Sequence, residues 1–206
     1  MTMLKIPPPE LLMPTVDLPV LELPTEDGIP LETNWHRIEM NLLIESLHYH
    51  WRDKDDYFTG GNMFVYFSLE QVRNRDYRGP DFFLVKGVDG TYDRKAWITW
   101  EEAGRYPDVI VELSSPSTID VDLGSKKRLY EQTFRTAEYF CYDPASTELR
   151  GWRLQGRRYQ EIAADEQGWL WSEEMGLWLG AWKGEFQRTF ATWLRLFTPE
   201  GDLVPT

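Results

Sequence analysis

Residues 107–113, with the sequence PDVIVEL, constrain the fold more than any other stretch of this 206-residue chain. Their β-branched and apolar side chains stand at odd and even positions alike. A strand with one face in water alternates apolar and polar residues, whereas a strand covered on both faces does not. The stretch therefore predicts a central strand in a sheet that is packed on both sides.

The segments around this strand predict a mixed α+β domain. A helix is expected over residues 33–51, with Thr33 or Asn34 as the N-cap, because apolar residues return there at helical spacing. A second helix is expected in DVDLGSKKRLYEQTF, and strands are expected in YFTGGNMFVYFS, PDFFLVK, KAWITW and AEYFCYD. This order of elements predicts a mixed sheet flanked by helices.

We assign this core to residues 32–146. The two ends of the chain differ from it in composition and residue pattern. Residues 1–31 carry many of the 13 prolines and show no stable periodicity, so we predict an extended arm there. Residues 147–206 predict a tryptophan-rich β extension of the same domain, with a hairpin turn at Gly156 and two short strands in GWLWSEEMGLWLGAWKG. An arm that crosses to a twin subunit predicts a homodimer.

Composition excludes several classes of protein. No apolar run approaches the roughly 20 residues that a membrane span requires. The first residues lack the basic region and unbroken apolar stretch of a secretory signal, so we expect a cytoplasmic protein. The single cysteine, Cys141, excludes an internal disulfide framework, and its apolar neighbours predict a buried thiol. The net charge of −12 excludes a protein that coats nucleic acid with its whole surface, but it leaves room for a local site.

Glu112 is the residue that most directly indicates a functional site. It lies inside the apolar strand, where an ionised carboxylate needs a metal ion, a cationic partner or hydrogen-bond donors. Asp81 stands at the start of a second strand, after the same Pro-Asp step. Carboxylates that converge on a divalent cation are typical of enzymes that hydrolyse phosphate esters. An exposed acid or a structural ion pair is the alternative interpretation of Glu112.

The second Pro-Asp step predicts a different role for its aspartate. Asp108 lies four residues before Glu112, so the two side chains share a face but stand about 13 Å apart along an extended strand. They cannot share one metal ion through that strand alone. We therefore predict that Asp108 caps a turn through its side chain, while Asp81 takes part in chemistry.

Four blocks of sequence, GPDFFLV, PDVIVELSSPST, DLGSKKRLYEQ and AEYFCYDP, follow one another in the chain. In their order and spacing they resemble the Uma-two family of putative restriction endonucleases, once catalogued as a domain of unknown function. The resemblance covers about residues 25–145. It implies the PD-(D/E)XK nuclease-like fold, in which a mixed sheet flanked by helices carries two acids and a lysine around magnesium.

Carried onto this chain, the resemblance implies that Asp81 and Glu112 hold Mg²⁺ or Mn²⁺. The general nuclease pattern has a lysine two positions after the second acid, where this chain has Ser114. The family offers Lys126 in its place, and a flexible ammonium there could orient a water or a phosphate. Lys127 is the alternative, and an exposed surface lysine is the alternative role for Lys126.

Nucleases of this fold often add an acid from their first helix. On a helical wheel Glu39 falls within the apolar arc, between Leu42 and Leu43, which favours a place beside the other acids. An ion pair or a helix-dipole role would fit the same position. Glu32, just before the helix, is an alternative acid.

The sequence thus predicts a metal-dependent endonuclease that hydrolyses DNA phosphodiester bonds. Its phosphate contacts would come from three arginines that precede the first acid, Arg73, Arg75 and Arg78. A solvated basic face is the alternative for these arginines. The alternative function is a non-catalytic scaffold that keeps the nuclease fold, which the negative charge and the missing lysine at position 114 favour.

Overall fold

The computed structural model describes residues 33–74 and 78–206. The predicted arm over residues 1–31 and the candidate residues Glu32 and Arg75 lie outside the described residues. Within the described part, no helix combines the length and the apolar character needed to cross a membrane.

The described residues form a mixed α+β fold, as predicted. The helices are α1 (Asn34–His50) and α2 (Leu69–Asn74), followed by a helical segment over residues 119–134 that joins α3 (Ile119–Val121), the π-helical turn π1 (Asp122–Lys126), α4 (Lys127–Leu129) and a second π-helical turn π2 (Tyr130–Phe134). The strands are β1 (Tyr57–Gly60), β2 (Val65–Tyr66), β3 (Phe82–Lys86), β4 (Trp97–Ile98), β5 (Val109–Leu113), β6 (Glu138–Asp143), β7 (Glu148–Gln155), β8 (Arg158–Glu161), β9 (Leu170–Ser172), β10 (Leu177–Phe186) and β11 (Thr189–Phe197).

The main sheet has six strands in the order β1-β3-β5-β6-β7-β8. Strand β5 pairs antiparallel with β3 and parallel with β6, and the 119–134 helical segment makes the crossover that a parallel pair requires. All five residues of β5 are buried, which confirms the prediction of a central strand. Strands β7 and β8 continue the same sheet, and β9, β10 and β11 form a second, antiparallel sheet.

The two faces of β5 belong to different layers of the core. Val109, Val111 and Leu113 pack toward α1 and the second sheet. Ile110 packs on the other face, in the layer that contains Tyr130 of the 119–134 segment. Because successive side chains of a strand alternate between faces, Glu112 lies on the same face as Ile110.

Helix α1 begins where the sequence predicts. The hydroxyl of Thr33 accepts a hydrogen bond from the backbone N–H of His36 at 3.2 Å, which satisfies one of the unpaired donors of the first turn. The apolar stripe of α1 packs on β3 and β11, and the ring of His36 hydrogen-bonds the carbonyl of Leu113. The helix is thereby fixed against the end of β5.

Three features differ from the sequence-based expectation. The single strand expected in YFTGGNMFVYFS is divided into β1 and β2 around Gly60 and Gly61, and the basic stretch that follows includes the short helix α2. Strand β11 was not expected at all, although it pairs with β10 over residues 178–186. Its sequence, TFATWLRLF, has no turn residue to mark its start, because the preceding turn is built by Gln187 and Arg188 with positive φ.

Candidate active site

Asp81 and Glu112 face each other across two neighbouring strands. Phe82 of β3 is opposite Val111 of β5 in the antiparallel register, so the next pair outward is Asp81 and Glu112. One oxygen of Asp81, Oδ2, accepts a hydrogen bond from the backbone N–H of Leu113 at 2.8 Å. The structure therefore brings these two predicted acids together.

Asp108 lies at the opposite end of the same strand pair, because β3 and β5 run in opposite directions. Its Oδ2 accepts a hydrogen bond from the backbone N–H of Lys86 at 2.7 Å. The two Pro-Asp steps thus have different surroundings: both aspartates accept a main-chain hydrogen bond, but Asp81 also faces a second carboxylate, Glu112.

Glu112 is buried, with 1% of its surface exposed, and both of its carboxylate oxygens have partners. Oε2 lies 3.0 Å from Nζ of Lys126, and Oε1 accepts a hydrogen bond from the hydroxyl of Tyr130 at 2.7 Å. The 119–134 segment supplies both partners, so the crossover connection that links β5 to β6 also completes the surroundings of Glu112.

Lys126 bridges Glu112 to a third acid, Asp122. Its Nζ lies 2.8 Å from Oδ1 of Asp122, and the other oxygen of that aspartate accepts a hydrogen bond from the hydroxyl of Ser114 at 2.8 Å. Asp122 is buried and was not among the predicted site residues. The spacing of four between Asp122 and Lys126 is the signal that could have found it, because residues at that spacing are neighbours on a helix.

The local backbone accounts for this geometry. The N–H of Lys127 bonds to the carbonyl of Asp122, five residues back, so π1 is wider than an α-helical turn. Single π-helical turns inside longer helices occur frequently at functional sites. Ser114, where the general nuclease pattern has its lysine, contacts Asp122 instead, and the ammonium comes from Lys126 on the helix.

The charged groups of the cluster change one another's pKa. Burial raises the pKa of both Asp81 and Glu112, and the charge of Asp122 adds to both increases, while Lys126 opposes them. Asp81 also raises the pKa of Glu112, whereas a hydrogen bond with Glu112 lowers the pKa of Asp81. Burial alone would lower the pKa of Lys126, but Glu112 and Asp122 outweigh it and raise that pKa. The cluster therefore keeps its ammonium charged, and that ammonium offsets part of the cost of burying the acids.

The donor set fits a hard divalent cation. Three carboxylates surround the site, and carboxylate oxygens are the ligands that Mg²⁺ prefers. Among residues 33–74 and 78–206, no three His, Cys, Asp or Glu side chains form a ready-made metal cage. Mg²⁺ is usually held by one or two carboxylates together with waters and substrate phosphates. Asp81 and Glu112 are the residues that would hold it.

Glu39 is not brought to this cluster. It is fully buried within the apolar arc of α1, but that arc faces β11, where Oε2 accepts a hydrogen bond from the backbone N–H of Leu194 at 3.0 Å. The helical wheel placed Glu39 in the core but could not say which sheet the core face meets. Glu112 projects from the other face of the main sheet, so the two acids lie in different layers.

The predicted basic residues have separate positions. Arg73 is exposed on α2. The charge of Arg78 acts on Tyr130, where it opposes the increase in pKa that burial and Glu112 cause. Of the described pair, Arg78 is therefore the one whose charge reaches Tyr130, the hydrogen-bond partner of Glu112.

Comparison with known proteins identifies the family to which the chain belongs. The family model Uma2, described as "Putative restriction endonuclease", matches residues 27–189. No protein with a curated description matches the chain. Among solved structures, the chain is similar to a "putative nuclease belonging to DUF820" from Anabaena variabilis ATCC 29413, with a TM-score of 0.50 and 13% sequence identity over 77% of this chain and 86% of that one. This second likeness concerns the fold, and the match over residues 27–189 shows that the chain belongs to the Uma2 family.

Proposed function

We propose that this protein is a metal-dependent endonuclease that hydrolyses DNA phosphodiester bonds. The observation that carries the proposal is the bridge from Lys126 to Glu112 and Asp122, at 3.0 and 2.8 Å, beside Asp81. Buried acids of this number need a cation, and the ammonium comes from a different backbone position than in the general nuclease pattern. The family description and the similar nuclease fold support the same activity.

The residues of the cluster would have different roles in the hydrolysis. Asp81 and Glu112 would hold Mg²⁺ or Mn²⁺, which when bound neutralises charge on the phosphate and activates water. Lys126 would donate to a phosphate oxygen and stabilise the negative charge that develops as the bond breaks. The hydroxyls of Tyr130 and Ser114 fix the orientation of Glu112 and Asp122, so the acids stay in place during the reaction.

Plasmid cleavage tests the proposal. Supercoiled plasmid is incubated in Mn²⁺ with wild-type protein and with a Glu112→Gln variant purified in the same way. We expect cleavage by the wild type alone, and equal cleavage by both proteins would indicate a contaminant. Divalent-ion binding should also be lost in Asp81→Ala with the fold intact, and unchanged binding would contradict the metal site.

The scaffold alternative keeps the fold but makes no use of the acids in chemistry. The departure at Ser114 and the charge of −12 favour it. Absence of cleavage together with absence of duplex binding at low salt would support it, because phosphate contacts are strongest at low salt. Cytoplasmic location and a homodimer remain predictions, and sizing the protein with and without residues 1–30 tests the second of them.

A further inference from the structure

A row of three residues crosses the main sheet from the candidate site. Glu112 of β5 is opposite Cys141 of β6, and Cys141 is opposite Arg150 of β7. Residues paired in this way point to the same face of a sheet, and neighbouring strands are about 4.8 Å apart. Arg150 therefore starts about 10 Å from Glu112 and on the same face.

A second cation reaches this position from the helix. Lys127 follows Lys126 directly, and successive residues of a helix diverge by about 100°. Lys126 points to Glu112 and Asp122, whereas Nζ of Lys127 lies 3.7 Å from the ring centroid of Trp152. The guanidinium of Arg150 lies 5.1 Å from the same centroid. The ammonium of Lys127 and the guanidinium of Arg150 thus lie beside the same ring, that of Trp152.

Two glutamates near these cations balance their charge only in part. Within the described residues, Lys127 forms no ion pair, and Arg150 meets the exposed Glu161 at 3.4 Å. Burial lowers the pKa of Lys127 and the charge of Arg150 lowers it further, although the charges of Glu161 and Glu131 oppose the decrease. Two cations that lie beside one ring can be further stabilised by an anion between them.

We propose that Lys127 and Arg150 form a subsite for a DNA phosphate a few nucleotides from the one that is cleaved. This inference rests on the proposed nuclease function. A DNA strand carries one phosphate for about each 3.4 Å of axial rise, so a site about 10 Å from Glu112 suits a phosphate a few nucleotides away. Lys127 covers the ring of Trp152, so the subsite binds backbone rather than a stacked base.

The salt dependence of duplex binding tests the subsite. The variant Lys127→Met/Arg150→Met removes both charges and keeps an apolar chain over Trp152. Its matched control, Lys183→Met/Arg188→Met, removes two exposed charges from the hairpin of the second sheet, where Lys183 lies 5.9 Å from the ring centroid of Phe190. Binding of a labelled 20-base-pair duplex is followed by fluorescence anisotropy in EDTA at several salt concentrations, and thermal melting checks that both proteins are folded.

Each neutralised phosphate contributes about 0.9 to the slope of log affinity against log salt. We expect the slope of Lys127→Met/Arg150→Met to be smaller than that of the wild type by about one, because one phosphate contact is lost, and that of the control to be unchanged. If the double variant does not fold, Arg150→Met alone should also reduce the slope, by at most about one.

Three other outcomes would overturn the subsite. In the first, the wild type binds DNA and cleaves plasmid, and the Lys127→Met/Arg150→Met variant has the same slope as the wild type. This result would contradict the subsite but not the nuclease function. In the second, the slope of the control decreases by the same amount, which would show that the effect comes from the overall charge of the protein and not from these two positions. In the third, the wild type neither binds duplex nor cleaves plasmid, which would contradict both the subsite and the proposed function.

Discussion

The two layers of the core each bury a glutamate, and their surroundings differ. Glu112, 1% exposed, has a lysine, a tyrosine hydroxyl and two further acids around it. Glu39, fully buried against β11, has one backbone donor, and its Oε1 has no hydrogen-bond partner among the described residues. Burial of an acid therefore does not identify a catalytic site. Convergence of acids on a cation is the more specific sign.

The largest effect that this comparison predicts is on cleavage. Glu112→Gln should reduce plasmid cleavage by about 1000-fold, because it removes one of the two carboxylates that would hold the metal ion. Glu39→Gln should cleave like the wild type, since Glu39 contacts β11 and not the cluster. Initial rates of nicking in Mn²⁺, measured on folded proteins, give the ratio. Equal losses in the two variants would break the comparison.

Stability gives the second contrast, at Lys126. Lys126→Met leaves the buried Glu112 and Asp122 without the ammonium that lies 3.0 and 2.8 Å from them. Removing one partner of a buried ion pair costs about 3 kcal/mol, so the free energy of unfolding in urea at pH 8 should fall by about that amount. Lys183→Met, at an exposed position, should change it by less than about 0.5 kcal/mol. Similar losses in both variants would contradict a buried ionic cluster.

The third contrast is in pH dependence. Burial raises the pKa of Glu39 well above its ordinary value, although the N–H of Leu194 and the charge of Arg195 oppose the increase. A raised pKa means that the folded state binds the proton more tightly than the unfolded chain does. The contribution to stability is therefore complete below the unfolded pKa and is lost as pH rises through the folded one.

This loss should disappear in Glu39→Gln, which cannot ionise. Between the two pKa values, the free energy of unfolding of the wild type relative to the variant should fall by about 1.4 kcal/mol for each pH unit. Other groups titrate alike in both proteins and cancel in the difference. Urea unfolding at intervals from pH 4.5 upward provides the measurement. A difference that does not change with pH would mean that Glu39 is ionised in the folded protein.

The sequence predicted the parts of this molecule that depend on local pattern. The apolar run of β5 and the N-cap at Thr33 are signals of this kind, because strand alternation and helix capping act over a few residues. The acid inside an apolar strand and the Pro-Asp step indicated Glu112 and Asp81, the family resemblance added Lys126, and the structure brings these three together. The direction of Glu39 and the place of Asp122 depend on which elements pack against each other, and neighbouring residues do not contain that information.

The smallest contrast concerns two buried serines, one in each layer. The hydroxyl of Ser114 donates to Asp122 at 2.8 Å, whereas Oγ of Ser46 on α1 has no hydrogen-bond partner among the described residues. Ser114→Ala should lower the free energy of unfolding by about 1.5 kcal/mol, because a bond to a charged group is lost. Ser46→Ala should leave it unchanged or raise it, because a buried polar group without a partner is removed. Urea unfolding of the two variants measures the difference, and an equal decrease in both would show that Ser46 has a partner in solution, such as water.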